Sequence, residues 1–260
     1  MSYTLITGAS GYLGGAFAEE CLLRGEKLYL TGRNENKLRE TYNRLKKNCP
    51  EAEIIIFPCD LSDSVEREKL FADAEKYKFS RAINAAGVDT QMAFALYDEK
   101  KLAFQIRACF EAAVSVCNFA VKHRADKLKI INVSSVSGIY PMPYFAVYSA
   151  SKSALTNFSV ALNEECKGTG ISVTAVLPGA IYTRPDVVEY IKTQGLWGKI
   201  AAKSPEYVVK KSLSASDKGK SKAIIGTANK IMRAATALIP TKLKLKFIAS
   251  KWSKTRKDAF

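Results

Sequence analysis

The feature that most constrains the fold of this chain is a regular alternation of short apolar runs with helix-length segments. β-type runs of four to seven residues occur at about 3–7, 28–31, 53–57, 81–84, 128–133, 171–177 and 222–225. Between most of them lie segments in which apolar residues return every three or four positions, at 12–24, 36–47, 64–77, 99–122 and 147–167. This alternation predicts a doubly wound α/β fold, because each crossover returns the chain to the same edge of a parallel sheet.

The size of the chain fits one such domain. Its 260 residues are 47% hydrophobic and 25% charged, which argues against disorder as the main state. Neither an internal repeat nor a Pro/Gly/Ser-rich linker divides the sequence, so we expect a single domain over residues 1–260. The apolar runs are far shorter than the roughly 18 to 20 residues that cross a bilayer, and the first residues do not resemble a secretory signal. We therefore expect a cytoplasmic protein.

The cysteines and the histidine argue against a metal site. The six cysteines show no C-x-x-C spacing and only His123 is available to join them. We expect buried free thiols without a function of their own, at positions 21, 49, 59, 109, 117 and 166.

A glycine-rich loop follows the first predicted strand and opens the first predicted helix. It reads Thr7-Gly8-Ala9-Ser10-Gly11-Tyr12-Leu13-Gly14. Glycines permit a tight turn and a close approach of backbone to a pyrophosphate, and the helix N-terminus attracts the anion. This context predicts a dinucleotide-binding loop whose cofactor contacts come from Gly8, Ser10, Gly11, Tyr12, Leu13 and Gly14.

The end of the second strand indicates which dinucleotide is preferred. The segment Leu30-Thr31-Gly32-Arg33-Asn34 contains no acidic residue to hold two ribose hydroxyls, and it places a guanidinium at that point. Arg33 can bind a 2′-phosphate through two hydrogen bonds, so the segment predicts NADP rather than NAD.

A tyrosine and a lysine share one face of a predicted helix. Tyr148 and Lys152 are four residues apart in Tyr148-Ser149-Ala150-Ser151-Lys152, which makes phenol and ammonium neighbours. A cation beside a phenol favours phenolate and lowers the phenol pKa from about 10, as a general acid/base for an alcohol or carbonyl requires.

Further motifs accompany this pair in a fixed order. They are Asp60-Leu61, Asn84-Ala85-Ala86-Gly87, Ser134-Ser135-Val136-Ser137-Gly138 and Pro178-Gly179-Ala180-Ile181-Tyr182-Thr183. Together with the glycine loop, they make residues 3 to 183 resemble the short-chain dehydrogenase/reductase family, which has a Rossmann fold. The resemblance implies that Tyr148 exchanges the proton, Ser135 hydrogen-bonds the substrate oxygen, and Lys152 holds the nicotinamide ribose and tunes the phenol. It also implies cofactor contacts by Asp60, Leu61, Asn84, Ala85, Gly87, Pro178, Gly179, Ile181 and Thr183.

Two departures from the family pattern stand out. Gly8, Gly11 and Gly14 have the spacing of the family's extended members, although the other motifs resemble the standard branch. The family also presents an asparagine on the helix after strand four, where it assists a proton relay. By alignment, Arg107 occupies that place, which would reroute or weaken the relay.

The predicted activity is hydride transfer between NADPH and a carbonyl or hydroxyl group, with reduction the expected direction. A substrate lid is expected at about 184–203, where Val187, Val188, Tyr190, Ile191, Leu196 and Trp197 offer apolar surface to a 3-oxoacyl, steroid-like or similar ketone. The alternative is a dinucleotide-binding sensor or scaffold with little turnover, which the arginine at position 107 keeps open. We also expect a homo-oligomer.

Positive charge is concentrated after the lid. Residues 199–260 contain 16 Lys and Arg against three acidic residues, a net charge of +13 out of +15 for the whole chain. Basic helices are predicted within 228–254, on either side of Pro240, with Leu243, Phe247 and Ile248 on one side of the second. Such a segment can rest on anionic lipid, dock a partner or receive a substrate with a phosphate or carboxylate. Nucleic acid is not expected, because no stacking platform or recognition motif accompanies the charge.

Overall fold

The computed structural model describes residues 2–183, 187–189, 191 and 200–253. Its strands are β1 (Tyr3–Thr7), β2 (Lys27–Gly32), β3 (Ile54–Pro58), β4 (Phe79–Asn84), β5 (Arg124–Val133), β6 (Ile171–Leu177) and β7 (Lys222–Ile224). They form one parallel sheet in the order β3-β2-β1-β4-β5-β6-β7. The predicted doubly wound fold is confirmed.

Helices connect most of the strands. They are α1 (Tyr12–Leu23), α2 (Glu35–Asn48), α3 (Ser64–Ala74), α4 (Glu99–Ile106), α5 (Ala112–Lys122), α6 (Ala146–Glu165), α7 (Pro205–Asp217), α8 (Thr227–Thr236) and α9 (Thr241–Trp252). The sequence interpretation missed α7, although Ser204 caps its first turn through Tyr207 N–H and Pro205 occupies its first position. A π-helical segment, Arg107–Glu111, joins α4 to α5 and was also not expected.

Helices cover both faces of the sheet, and each face has its own apolar core. On one face α1, α2 and α7 bury residues such as Phe17, Leu38 and Val209 against the strands. On the other face α3, α5 and α6 pack residues such as Leu70 and Val116 against the strands. Because both faces are apolar, the polar groups that serve chemistry are left at the carboxyl ends of the strands.

The helical segment from α4 to α5 is long and apolar enough, by length and composition alone, to cross a membrane. It spans Glu99–Lys122, 24 residues, and 44% of its most apolar stretch is buried inside the fold. Part of that apolar surface serves core packing, since Val116 and Ala120 are completely buried.

The strand order reverses at β1. Strands β2 and β3 lie on one side of β1, and the chain then crosses to place β4 on the other side. In sheets of this type a ligand binds beyond the carboxyl ends of the strands at such a switch point. The glycine loop after β1 and the segment after β4 both lie there. The backbone N–H of Ala86 donates to Thr7 Oγ1 at 3.3 Å, which holds the two segments together.

The predicted lid falls largely outside the described residues, and Tyr190, Leu196 and Trp197 are among those not described. Its base is defined: Ile181 and Lys203 form a parallel bridge. Tyr182 N–H donates to the Lys203 carbonyl at 3.0 Å, and Lys203 N–H donates to the Ala180 carbonyl at 3.1 Å. The chain therefore leaves the sheet after β6 and returns to the same place about twenty residues later.

Candidate active site

The loop after β1 brings the start of α1 against the end of the sheet. Gly8 adopts φ +66°, a left-handed conformation that favours glycine, and Gly11 N–H donates to its carbonyl at 2.9 Å. A Cβ on Gly8 would lie 2.8 Å from backbone atoms of Ala86, and one on Gly14 would lie 2.1 Å from the Gly8 oxygen. These two glycines permit backbone contacts that any side chain would block.

The first turn of α1 has no acidic side chain that could satisfy its N-terminal N–H groups. The N-cap of the helix, Gly11, makes no side-chain capping bond. The free N–H groups and the helix dipole therefore favour a negative ligand there. Tyr12 is 56% exposed beside them, while Ser10 and Leu13 are half-buried. The loop fits a pyrophosphate, as the sequence predicted.

Arg33 extends from the end of β2 as an exposed side chain. Its guanidinium carbon lies 5.0 Å from the centre of the Phe104 ring, which is a cation–π contact. Among the described residues it forms no ion pair with a carboxylate. The loop and this strand end are adjacent, because Ala9 N–H donates to the Thr31 carbonyl at 3.0 Å.

The segments after β3 and β4 contribute less exposed side chains. Asp60 Oδ1 accepts from Ser62 N–H at 2.9 Å and from its hydroxyl at 2.7 Å, while Leu61 is 6% exposed. Asn84 is 3% exposed and its amide donates to Asn132 Oδ1 at 2.7 Å. The Asn84 side chain thus ties β4 to β5 inside the core, and a cofactor can reach this residue only through its backbone. Ala85 is half-buried beside it.

Ser135 is held as a hydrogen-bond donor at the end of β5. Its oxygen accepts from Ser137 N–H at 3.1 Å and from the Ser137 hydroxyl at 2.8 Å. With both acceptor positions used, the Ser135 hydroxyl hydrogen is left to point at another oxygen. The neighbouring Ser134 bonds the Lys152 carbonyl at 2.8 Å, which fixes this turn against α6.

Tyr148 and Lys152 lie on one face of α6, as their spacing predicted. Lys152 Nζ is 5.6 Å from the Tyr148 ring centre and donates to the Val133 carbonyl at 2.8 Å. Ser135 is a hydrogen-bond partner of the Tyr148 phenol. A Cβ on Gly87 would lie 3.3 Å from the same Nζ, so the segment after β4 closes over the ammonium. The structure brings these four residues together.

The pKa of Tyr148 differs from the sequence expectation. Burial raises it above the ordinary phenol value, Cys109 and Asp89 raise it further, and only the hydrogen bond with Ser135 lowers it. Burial also lowers the pKa of Lys152, against Cys109 and Asp89, which raise it. The expectation of a lowered phenol pKa is therefore wrong for this structure, because burial of the phenol is the largest influence on its pKa.

Arg107 does not occupy the place that the sequence alignment gave it. Its side chain is 55% exposed and lies 3.9 Å from Glu111 on the helix surface. The residue of the π-helical segment that faces the site is Cys109, which is 1% exposed. Its Sγ donates to the Val88 carbonyl at 3.2 Å and accepts from Val88 N–H at 3.4 Å. Sequence reasoning missed Cys109, because the spacing of apolar residues does not reveal that a helical turn contains the extra residue of a π-helix.

The segment after β6 lies between the turn of Ser135 and the C-terminal helices. Val136 N–H donates to the Pro178 carbonyl at 2.9 Å. A Cβ on Gly179 would lie 2.6 Å from the Asn229 amide nitrogen, so the start of α8 packs directly on this segment. Ile181 and Thr183 are half-buried beyond it.

The end of α9 reaches the catalytic helix. The Trp252 ring stacks on Phe145 with centroids 5.5 Å apart and planes 13° apart. Phe145 in turn contacts Tyr148, with centroids 4.5 Å apart. The C-terminal helix therefore forms part of the apolar surface beside the phenol, a long-range contact that no local pattern indicates.

Comparisons with known proteins agree with this geometry. The family described as short chain dehydrogenase matches residues 2–191. A curated relative, 11-beta-hydroxysteroid dehydrogenase-like 2 of Arabidopsis thaliana, is 35% identical over 184 residues, which are 69% of this chain and 59% of the relative. Another, very-long-chain 3-oxoacyl-CoA reductase of Bos taurus, is 27% identical over 81% of this chain and 67% of its own length. The chain thus spans about three fifths of the first relative.

A solved structure from work on 7beta-hydroxysteroid dehydrogenase stereoselectivity superimposes with a TM-score of 0.85. It covers 95% of this chain and 96% of its own, at 23% identity, and so supports the fold. The family match extends through the glycine loop, the Ser135 turn, Tyr148, Lys152 and the segment after β6. This chain belongs to the short-chain dehydrogenase/reductase family of NAD(P)-binding oxidoreductases.

Proposed function

We propose that this protein is an NADP-dependent oxidoreductase that interconverts a carbonyl and a hydroxyl group on a hydrophobic substrate. The observation that carries the proposal is the cluster of Ser135, Tyr148 and Lys152 at the carboxyl ends of the strands, beside a helix N-terminus that can hold a pyrophosphate. The cluster supplies a hydroxyl donor, a neutral phenol and a buried ammonium, which together suit proton exchange with a carbonyl oxygen.

The cofactor would lie across the switch point. Gly8, Gly11 and Gly14 leave room for the pyrophosphate, Gly87 leaves room beside Lys152, and the segment Pro178–Thr183 borders the far end. The bound dinucleotide supplies the hydride. The ammonium of Lys152 is anchored to the Val133 carbonyl at 2.8 Å and has further N–H groups for ribose hydroxyls.

Two hydroxyl groups would act on the substrate oxygen. Ser135, oriented by Ser137, donates a hydrogen bond that stabilises negative charge as it develops. The raised pKa of Tyr148 keeps its phenol protonated at neutral pH, so it enters the reaction as a proton donor. This protonation state favours reduction over oxidation.

The preference for NADP rests on Arg33. The Arg33 side chain is exposed at the end of β2, with its guanidinium carbon 5.0 Å from the centre of the Phe104 ring. A 2′-phosphate can accept two of the guanidinium N–H groups, whereas NAD offers only a neutral hydroxyl.

The apolar nature of the substrate is supported by the surface beside the phenol. Phe145 and Trp252 stack next to Tyr148 and form this surface. Ile191, which was expected to offer lid surface to the ligand, is instead buried in the fold, 2% exposed. The two relatives described above are named for steroid and 3-oxoacyl substrates. A 3-oxoacyl, steroid-like or similar ketone fits this surface better than a sugar does.

The test is turnover of a panel of ketones, 3-oxoacyl thioesters and hydroxysteroids, each with NADPH and with NADH. Tyr148→Phe should bind NADPH within a few-fold of wild type and lose at least about a hundredfold in turnover, the lower range for general acid catalysis. The competing function, a dinucleotide sensor or scaffold, predicts NADPH binding with no turnover on any member. Near-wild-type turnover by Tyr148→Phe would refute the assigned mechanism.

Membrane contact is a second proposal, and exposed apolar side chains favour it. On the outer side of α9, Leu243 is 57% exposed and Phe247 65%, next to the exposed Lys242 and Lys246. Leu238, between α8 and α9, is 96% exposed. Apolar side chains flanked by lysines suit the interface of an anionic bilayer, where each lysine is worth about 1 kcal/mol.

Sedimentation with vesicles tests this contact. Wild type should bind phosphatidylserine vesicles more strongly than phosphatidylcholine vesicles, and it should dissociate from the anionic vesicles as the salt concentration rises. The double variant Leu238→Ser/Leu243→Ser should lose binding without a lower Tm, because both side chains are exposed. Equal sedimentation with both lipids would end the proposal. The cytoplasmic location and the homo-oligomeric state remain predictions.

A further inference from the structure

A cavity of about 500 Å³ lies between the C-terminal helices and the turn that follows Ser135. Ile139, Tyr140 and Pro141 form one wall, and α8 and the first turns of α9 form the others. The walls are fixed to each other, since the Tyr140 hydroxyl bonds Thr236 Oγ1 at 2.6 Å. The described walls of the cavity are therefore held together by the fold itself.

The described lining of this cavity is apolar except for three cations and the hydroxyls of Tyr140 and Thr241. The cations are Lys230 and Arg233 of α8 and Lys244 of α9, and no described lining residue is acidic. Within the described residues none of the three forms an ion pair with a carboxylate. Burial and the positive charge of Arg233 lower the pKa of Lys222, so one further cation lies near Arg233. The cavity is half open to solvent, with Lys230 and Arg233 exposed at its edge, and an apolar recess edged by positive charge suits an amphipathic anion.

Helix α9 runs from the cavity to the side of Tyr148. Leu245 lines the cavity, and Trp252, seven residues later, stacks on Phe145 beside Tyr148. Seven residues of α-helix advance about 10 Å. An apolar ligand lying along this helix can place a carbonyl at Tyr148 and a charged group among the cations.

We infer that the natural substrate is an amphipathic carbonyl compound whose carboxylate or phosphate binds Lys230, Arg233 and Lys244. The inference rests on the proposed oxidoreductase function and specifies its substrate class. Arg233 presents N–H groups in a fork that matches either anion, and Lys244 is held at the cavity wall, with its Nζ 5.6 Å from the Tyr140 ring centre.

Kinetics with a matched pair of substrates tests the inference. With NADPH, 10-oxoundecanoate should be reduced with a kcat/KM about tenfold above that of its methyl ester, which lacks the charge. Arg233→Gln and Lys244→Gln should each raise KM for the acid by about tenfold, as loss of a charge-assisted hydrogen bond does. The kcat for the acid and the kcat/KM for the ester should stay within twofold of wild type. Lys242→Gln and Lys246→Gln are the controls, because they remove the same charge from the outer side of α9 and should change neither substrate. Equal effects in the controls, or equal losses for acid and ester, would overturn the inference.

Direct binding separates this inference from the proposed function. Calorimetry should show that octyl phosphate and octanoate bind wild type more tightly than octanol, and that Arg233→Gln abolishes the difference while Lys246→Gln keeps it. Such binding without turnover of any ketone would refute the oxidoreductase and retain the anion site. No preference for either anion over octanol would refute the anion site, whatever the turnover. The relative affinity of the two anions identifies the charged group.

Discussion

Two adjacent glycines of α1 allow the phosphate loop to be tested by the same substitution at neighbouring positions. A methyl group at Gly14 would lie 2.1 Å from the oxygen and 2.6 Å from the carbon of the Gly8 carbonyl, where neither backbone atom can yield without moving the loop. A methyl group at Gly15 would meet only Arg44 Nη2 at 3.3 Å and the Ala9 oxygen at 3.5 Å. The arginine is flexible and half exposed, so it can move aside.

The two substitutions should therefore act in opposite directions. Each replaces a helical glycine, which favours the helix by up to about 1 kcal/mol. At Gly15 that gain should persist and raise Tm by roughly 2 to 4 °C. At Gly14 the cost of overpacking, about 1 to 3 kcal/mol or more, should exceed the gain and lower Tm.

Cofactor binding gives a second measurement on the same variants. NADPH at a hundred times its Kd should stabilise wild type by about 2.7 kcal/mol, a rise of roughly 5 to 10 °C. Gly15→Ala should keep this rise, whereas Gly14→Ala should lose most of it, because the shifted loop no longer presents its N–H groups to the pyrophosphate. Thermal unfolding with and without NADPH measures both effects. A Gly14→Ala variant with the Tm and the NADPH response of wild type would refute the role given to the close backbone contact.

Three further predictions concern the site. In fluorescence titrations, Arg33→Ala should weaken the binding of NADPH by about 1.5 to 3 kcal/mol and change the binding of NADH little. Equal losses of affinity for the two cofactors would show that Arg33 has a structural role. Ser137→Ala should lower kcat about three- to tenfold with little change in NADPH affinity, because Ser135 then keeps a free acceptor position; Ser149→Ala, outside this hydrogen-bond pair, is the control. The pKa of Tyr148 is raised above the ordinary phenol value of about 10, so kcat/KM for reduction should show no loss from this group below about pH 10. Oxidation should accelerate as pH rises, and a reduction profile that falls near pH 7 would contradict the structure.

Much of the fold could be predicted from the sequence because its signals are local. The seven β-type runs coincide with the observed strands to within a few residues, since buried parallel strands are continuous apolar runs. The helix α7 was missed although Ser204 and Pro205 mark its start. Its buried face includes serines as well as apolar residues, so the apolar spacing of a helix is weak there. The pair of Tyr148 and Lys152 was predictable, because a spacing of four places two side chains on one helix face.

Other properties of the site depend on contacts distant in sequence. The π-helical segment moves Cys109, in place of Arg107, towards Val88, and no local preference indicates the extra residue in the turn. The pKa of Tyr148 follows from how deeply α6 is covered, which spacing does not reveal. The stacking of Trp252 on Phe145 joins positions more than a hundred residues apart.

The contact between Gly179 and Asn229 has a consequence for chimeric proteins. Asn229 is 3% exposed, donates to the Ile225 carbonyl at 2.7 Å, and fills the space that a side chain at position 179 would need. The C-terminal helices thus pack on the segment after β6 through a complementary pair: Gly179 has no side chain, and the side chain of Asn229 is held in place by its hydrogen bond. A tail transplanted from another family member should therefore carry a residue no larger than asparagine at the matching position, and positions 179 and 229 should vary together as sequences diverge.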